Sequence, residues 1–526
     1  MTFVTPTIEW APLIPMMIVL GAAALGVLLE AIIRNPATRR VVQFVLSIAA
    51  LLVAAGAAVL QWATLEGAGT IVMNGMITVD RQSLLWQIII LLFGIFGAML
   101  FASRTSAGES AFTPLGASVP GSQDETIARR KGFELTEVFP LALFAVGGMM
   151  LFTSVTDFIF LFVALEVFSL PLYIMVAVSR RRRLLSHEAS LKYFLLGAFS
   201  SAFYLFGAAL LYGATGQSSY EGVALVVQQT ASTDPLLLTG AVMVIVGLLF
   251  KLGAVPFHSW TPDAYQGAPT PVTAFMAAAT KAAAAAALLR IVYTTFYTLG
   301  WELSWLFWAV AIASMVLGTV VALVQTDIKR MLAYSSIAHA GFILVAFGGF
   351  SSQALSALPV YLVTYGVATI GAFAVVTQVR ERTEDGSIGG EATRLGQWAG
   401  LGKRSPLLAG AMALFLLSFA GIPLTAGFIG KFQAFSAAID GGAWVLVLIA
   451  VLASAASVFF YVRLIILMFF TDVPEGAEEA VEVDHSPLAR AVVVLTMILV
   501  LVLGIVPGWF LDAANNAAVL LIGVAG

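Results

Sequence analysis

About 14 apolar runs follow one another along the chain, each near the roughly 20 residues that a helix needs to cross a bilayer. They lie at 11–33, 41–62, 83–102, 137–153, 156–178, 188–212, 235–266, 270–297, 303–325, 331–350, 354–379, 405–440, 443–470 and 488–511. In hydrocarbon every backbone donor and acceptor must find its partner within the protein, so such a chain has one practical solution, a bundle of membrane-spanning helices. The expected fold class is therefore an all-α polytopic membrane protein. A soluble domain carries about a quarter charged residues. Here charged residues are 10%, hydrophobic residues are 60% and the mean hydropathy is +0.99. The opening residues MTFVTPTIEW lack a positive stretch, so the first run is expected to be a retained helix rather than a cleaved signal.

Loop charge tests the count. Arg34, Arg39 and Arg40 follow the first run, and Arg104, Arg129, Arg130 and Lys131 follow the third. Arg180–Arg183 follow the fifth, Lys329 and Arg330 the ninth, and Arg380, Arg382, Arg394, Lys403 and Arg404 the eleventh. The intervening loops hold little beyond Arg81, with Glu66, Asp80, Glu221, Asp234 and Asp440. Basic loops stay on the cytoplasmic side, which predicts both termini outside. The loop after the thirteenth run departs from this pattern, since it is acidic, with Glu475, Glu478, Glu479, Glu482 and Asp484.

Several functions are excluded. The chain has no cysteine and four scattered histidines, so it offers neither a thiolate-ligated cluster nor a metal spacing such as H-E-x-x-H. No phosphate-binding glycine loop and no basic face for nucleic acid is visible.

Two runs are interrupted alike. One has Gly253 and Pro256 after Lys251, and the other, GIPLTAGFIGKF, has Gly421 and Pro423 ahead of Lys431. The two prolines stand 167 residues apart, a shift that carries runs 4–8 onto runs 9–13. Units with an odd number of spans must have opposite membrane orientation, the pattern of inverted repeats whose broken helices frame an ion site. The expected division is 1–136 (helices 1–3 and a cytoplasmic loop), 137–297 (first five-helix repeat), 298–470 (second, inverted repeat) and 471–526 (helix 14 and tail).

Ionisable groups inside these runs are the candidate site, because a charge at bilayer depth costs at least about 2.5–3.5 kcal/mol and so faces a cavity or a partner. Glu166 lies mid-run in LFVALEVFSLPLYIMV and is expected to pair with Lys251, either as a proton-coupled gate or as a static lock between helices. Lys281 precedes an alanine run without polar partners. It reads as a proton carrier, or as a cap on a freed carbonyl of the broken helix. His339, with Tyr334, Ser335 and Ser336 beside it, reads as a relay group titrating near neutrality, or as a core histidine bonded to backbone. Lys431 reads as the terminal exchange site, or as an interfacial lysine reaching outward. His258 and Asp263 either line a path or cap a half-helix. Lys192, Arg290 and Arg463 sit nearer run ends and are expected to reach towards the interface or lipid, and Asp157 to cap a helix.

These residues carry a resemblance. FKLGAVPFHSWTPDAYQGAPTPVTAF with ATK at 279–281, EVFSLPLY at 166–173, DIKRMLAYSSIAHAGF at 327–342 and GIPLTAGFIGKF at 421–432 resemble the antiporter-like membrane subunits of respiratory NADH–quinone oxidoreductase (complex I). YQGAP followed by a lysine in the eighth helix, a lysine in the twelfth and the lack of a long lateral helix are similar to the N type. The resemblance implies proton translocation, with Glu166 and Lys251 as the coupled pair, Lys281 as central relay, His339 as bridge and Lys431 as exit. It implies that this chain binds no cofactor itself, that NADH, FMN, iron–sulfur clusters and quinone belong to partner membrane and peripheral subunits, and that the complex sits in the bacterial inner membrane. Two alternatives remain: a cation/proton antiporter subunit without redox partners, and a structural subunit whose lysines only lock helices. The loop 103–136 maps onto no feature of the family.

Overall fold

The computed structural model describes residues 9–116, 122–131, 133–229, 234–382, 388–473 and 481–521. Helices α1 (Ile14–Ile32), α2 (Pro36–Thr64) and α3 (Arg81–Phe101) come first, then α4 (Val138–Phe152), α5 (Phe158–Val176) and α6 (Arg183–Thr215). A broken pair follows, α7 (Pro235–Leu252) and α8 (Trp260–Gly267), and then α9 (Thr270–Thr294), α10 (Gly300–Val324), α11 (Ile328–Val345) and α12 (Ala354–Val376). A second broken pair, α13 (Pro406–Ala420) and α14 (Ala426–Asp440), precedes α15 (Trp444–Phe470) and α16 (Pro487–Ile505). Every expected span coincides with one of these helices or with a broken pair. Among the described residues, 11 helices are long and apolar enough to cross a membrane, and α4 and α13 are shorter apolar helices.

Asn35, Asp80, Asp157, Asp234 and Asp327 each precede a helix and accept hydrogen bonds from its first free amides, the usual task of an N-cap. The expectation for Asp157 therefore holds. At the centre lie α9 and α12, packed against each other. Residues 270–292 of α9 are all buried, and so is every residue of α12 except Ser356. Small residues make this possible, since packing between membrane helices depends on close backbone approach. The alanines at 282–287 supply that in α9, and Gly366 of α12 receives the Phe93 ring of α3 where a Cβ would stand 2.2 Å away.

The alternation of loop charge survives in three dimensions. On one face Arg180 and Arg181 both reach Glu109, at 2.8 and 3.1 Å, and Arg104 and Arg40 share Glu134. Strands β3 (Val379–Arg382), β4 (Ile388–Glu391) and β5 (Val481–Val483) form a small antiparallel sheet there, in the order β4-β3-β5. The acidic loop after α15 belongs to this same face: Glu482 pairs with Arg382 at 3.5 Å, and Asp484 accepts the Ser106 amide at 2.7 Å. Of its described acids, Glu482 is thus matched by an arginine and Asp484 by a backbone amide. Glu475, Glu478 and Glu479 lie outside the described residues. Of the loop 103–136, unassigned from sequence, residues 103–116 form a strap over this face: Thr113 donates its amide to Val178, and Arg183 binds the Gly116 carbonyl.

The opposite face carries a hairpin of β1 (Gly69–Val72) and β2 (Ile77–Asp80). Both described chain ends lie here. The Gln61 amide at the end of α2 donates to the Ala11 carbonyl, and the Leu521 amide donates to Asp80 at 3.3 Å.

One peripheral expectation is corrected. Arg290 does not reach lipid: it is buried and grips Asp80 through two hydrogen bonds of 2.8 and 2.9 Å, with side-chain exposures of 2% and 0%. Its Nε adds a bond to the Thr153 carbonyl at 3.3 Å. The reason is that the hairpin folds back over the end of α9, which turns an apparent interface into interior. Lys192 stays exposed, as expected of a lysine reaching towards the interface, and there meets two carboxylates, Glu188 at 2.7 Å and Asp263 at 2.9 Å. Arg463 does stay exposed, on the Leu323 carbonyl.

Removing one partner of a buried ion pair strands the other charge. Arg290→Met or Asp80→Asn is therefore expected to destabilise the protein by about 3–5 kcal/mol, and the double change Asp80→Leu with Arg290→Met to recover most of it. Thermal unfolding of the detergent-solubilised variants decides this, and equal loss in the double variant would refute it. At Glu109 burial pushes the carboxyl pKa up, but Arg180 and Arg181 more than offset this and hold it below the ordinary 4.5. A lowered folded value means stability that is complete above the unfolded pKa and lost as pH falls through the folded one. Amides of Ser103–Gly116 should stay protected from hydrogen exchange at neutral pH and open only below about pH 4.5.

Candidate functional site

Each helix break frees backbone carbonyls that have no water to turn to, and in both cases a lysine answers them. At the first, α7 ends at Leu252, and Gly253 turns into the left-handed region at φ 75°. Lys281, near the middle of α9 and 2% exposed, donates to the Leu252 carbonyl. At the second, α13 ends at Ala420, and Gly421 turns similarly at φ 83°. Lys431 of α14 donates to the Phe419 and Ala420 carbonyls at 2.8 and 3.0 Å and to Ser454 Oγ of α15 at 2.7 Å. Its amine also lies 4.7 Å from the Phe342 ring centroid. The two caps are not placed alike, because Lys281 comes from the helix after the broken pair and Lys431 from within it.

Lys431 is 6% exposed, so the outward-reaching alternative fails. Lys281 makes the carbonyl contact that its packing alternative anticipated. That contact is compatible with proton exchange, since a lysine has three donors and one is used.

His339 sits between two tyrosines. Its Nδ1 lies 2.7 Å from Tyr361 OH of α12, and its Nε2 lies 3.4 Å from Tyr461 OH of α15. Tyr461 also meets Ser335. The histidine is 3% exposed and is held by hydroxyls rather than by a backbone carbonyl. Ser336, on the same helix, lies 3.3 Å from Tyr265 OH of α8. Lys281, His339 and Lys431 are thus each buried within the same central group of helices, with hydroxyls of Tyr265, Ser335, Ser336, Tyr361 and Tyr461 distributed among them. Tyr334 does not join them: it is half-buried, and its hydroxyl makes no hydrogen bond among the described residues.

The Glu166–Lys251 pair is not made. Lys251, 1% exposed, donates instead to Ser169 Oγ at 2.8 Å and Tyr173 OH at 3.0 Å, and its amine lies 5.1–5.9 Å from the ring centroids of Phe168, Tyr173, Tyr193 and Phe250. The cause is axial level. At about 1.5 Å of rise per residue, Ser169 and Tyr173 stand roughly 4.5 and 10 Å further along α5 than Glu166. Glu166 is half-buried, next to the exposed Val163 and Leu170, and its Oε1 is buried without a hydrogen-bond partner.

Asp263 is a junction of charge: it accepts from Lys192 and from Arg330, each at 2.9 Å, and Arg330 also binds Gln266. It therefore ties α8 to the starts of α6 and α11. His258 is half-buried in the break, with the Pro256 backbone as a hydrogen-bond partner. Sequence reasoning passed over Ser169, Tyr173, Tyr361, Ser454 and Tyr461. The first two lie inside EVFSLPLY, three and seven residues after Glu166, and helical spacing alone could have flagged them. The other three are isolated hydroxyls in apolar helices, without any local signal.

A family model described as NADH:quinone oxidoreductase/Mrp antiporter, TM, matches residues 155–457, which contain all of these groups except Tyr461. NADH-quinone oxidoreductase subunit N of Beutenbergia cavernae is 53% identical over 98% of this chain and 99% of its own length. The subunit of the same name from Mycobacterium tuberculosis is 46% identical over 98% and 99%. A chain of respiratory complex I from Thermus thermophilus superposes with a TM-score of 0.73 at 33% identity, covering 96% of this chain and 100% of that one. A chain of the Mrp complex from Dietzia shares the fold, with a TM-score of 0.77 at 21% identity over 96% and 97%.

Lys431→Met keeps the apolar stem and removes the donor to Phe419, while Ala420 keeps only the Ser454 hydroxyl at 3.3 Å. It is expected to cost about 1–3 kcal/mol for each carbonyl left alone, seen as a lower thermal midpoint of the solubilised protein, whereas Lys431→Arg should retain most of the stability. An unchanged midpoint in Lys431→Met would mean that the cap carries no weight.

Proposed function

Because the chain belongs to the NADH:quinone oxidoreductase/Mrp antiporter transmembrane family, we propose that it is the N subunit of an NADH–quinone oxidoreductase and moves protons across the membrane. The redox chemistry belongs to the rest of that complex, where NADH, FMN, iron–sulfur clusters and quinone are bound. Its partners are the other membrane subunits. The observation that carries the reading is the placement of Lys281 and Lys431, two buried amines at two helix breaks, with His339 held by hydroxyls between their helices.

The mechanism follows from what each group can do. A buried amine exchanges its proton readily because burial disfavours the charged form. Lys281 is the central carrier, His339 passes the proton between Tyr361 and Tyr461, and Lys431 is the terminal exchange site. Lys251 stands one step earlier, on Ser169 and Tyr173. Glu166 then acts through the field across one to two helical turns rather than through a contact. A charge change arriving from a neighbouring subunit alters Glu166, which biases Lys251 and then Lys281. Such coupling is effective where water is scarce, since charges interact several-fold more strongly than in bulk solvent.

The two lysine-capped breaks also support reading 137–297 and 298–470 as inverted repeats. The arginine-rich face supports a cytoplasmic position for the strap 103–116 and the sheet, with both termini outside.

The test is Lys281→Ala in the assembled complex in membrane vesicles, with NADH oxidation by an artificial acceptor to monitor assembly. Proton pumping and quinone-linked turnover are expected to fall by roughly 100-fold, the usual scale for losing a proton-transfer group, while acceptor activity stays. Normal pumping would reduce the lysines to helix locks.

A further inference from the structure

One buried hydroxyl beside Lys281 has no role in this scheme. Thr261, in the first turn of α8, is 0% exposed, and its Oγ1 is buried without a hydrogen-bond partner. A buried hydroxyl left so is unfavourable and worth an explanation. Its surroundings supply one. A Cβ built on Gly253 would lie 2.9 Å from Thr261 Oγ1 and 3.6 Å from Lys281 Nζ, with Trp260 next at 3.9 Å. The orphan hydroxyl and the lysine amine therefore both border Gly253, and no side chain at that position stands between them. The amine has three donors, and the Leu252 carbonyl takes one of them.

A buried hydroxyl without a partner beside an amine with donors to spare is a polar pair that a structural water bridges. We propose that Gly253, Thr261 and Lys281 form a binding site for one water molecule, and that this water is the immediate proton partner of Lys281. The Lys281 ammonium breaks one N–H bond as the water oxygen gains that proton. The water then releases another of its protons onward and is itself restored, so nothing is oxidised or reduced and the charge leaves with the proton. Thr261 is a positioning residue, holding the water in line with the amine. Onward lies Tyr265, one turn along α8, whose hydroxyl meets Ser336 on the helix of His339. This site also gives the first break a purpose beyond freeing a carbonyl: the left-handed turn at Gly253 brings α7, α8 and α9 together around the amine.

The inference rests on the proton-carrying role proposed for Lys281, so the two are tested together. Thr261→Val, Thr261→Ser and Lys281→Ala are compared in the whole complex in vesicles, with acceptor-linked NADH oxidation as the measure of assembly. Thr261→Val, similar in shape but without a hydroxyl, is expected to lose at least about 10-fold in quinone-linked pumping, and Thr261→Ser to pump close to the parental rate. Should Thr261→Val fail to assemble, Thr261→Cys takes its place with the same expectation, because a thiol is a weak hydrogen-bond partner. Parental pumping without the hydroxyl, or equal loss in Thr261→Ser, overturns the water site. Loss in Lys281→Ala with normal Thr261→Val removes the water site alone. Normal pumping in Lys281→Ala removes the relay and the site together.

Discussion

A backbone carbonyl released inside a bilayer must be met by a donor from the protein, and that requirement shapes the centre of this molecule. Both broken helices end in a left-handed glycine, and both leave carbonyls that an ordinary helix would have bonded four residues on. A hydroxyl could answer one of them. A lysine answers with a mobile amine that keeps donors to spare, and so the group that completes the fold is also one able to exchange a proton. Stability and chemistry here draw on the same hydrogen bonds.

The lysines act at that depth only because α9 and α12 are enclosed on all sides. Alanine and glycine let neighbouring helices approach closely enough to exclude lipid, and the Asp80–Arg290 pair fastens the far end of α9 to the hairpin, to α3 and to the final residues of the chain. The segments flanking the family-model match at 155–457 thereby take part in fixing the helix that bears Lys281. On the opposite face the strap 103–116 and the three-stranded sheet interlock loops of the basic side through Glu109, Glu482 and Asp484.

Much of the site could be read before any fold was known. Lys251, Lys281, His339 and Lys431 stand out because a charge or imidazole in a long apolar run needs a reason, and two glycine–proline breaks show where backbone order fails. The alternation of arginine-rich loops anticipated which connections share a face, and the one discordant loop returns to that face, where its Glu482 pairs with Arg382. The Glu166–Lys251 pair went wrong because sequence gives the depth of a residue within its own helix but not the relative height of two helices. A shift of one turn moved Lys251 onto Ser169 and Tyr173. Arg290 was misplaced for a related reason: its distance from the helix end was right, but the hairpin covering that end could not be seen.

The sequence by itself determined that the chain is a helical membrane bundle, where its helices break, and which ionisable groups lie within it, because length, hydropathy and glycine–proline punctuation are local properties that the bilayer reads directly. Only the tertiary structure decided which partner each of those groups has. Tyr361 and Tyr461 reach His339 from 22 and 122 residues away, and Ser454 reaches Lys431 from the next helix. Hydrogen bonds of about 3 Å depend on how helices slide and rotate against one another, and that is set by the sum of small packing choices along whole helices rather than by any motif within one.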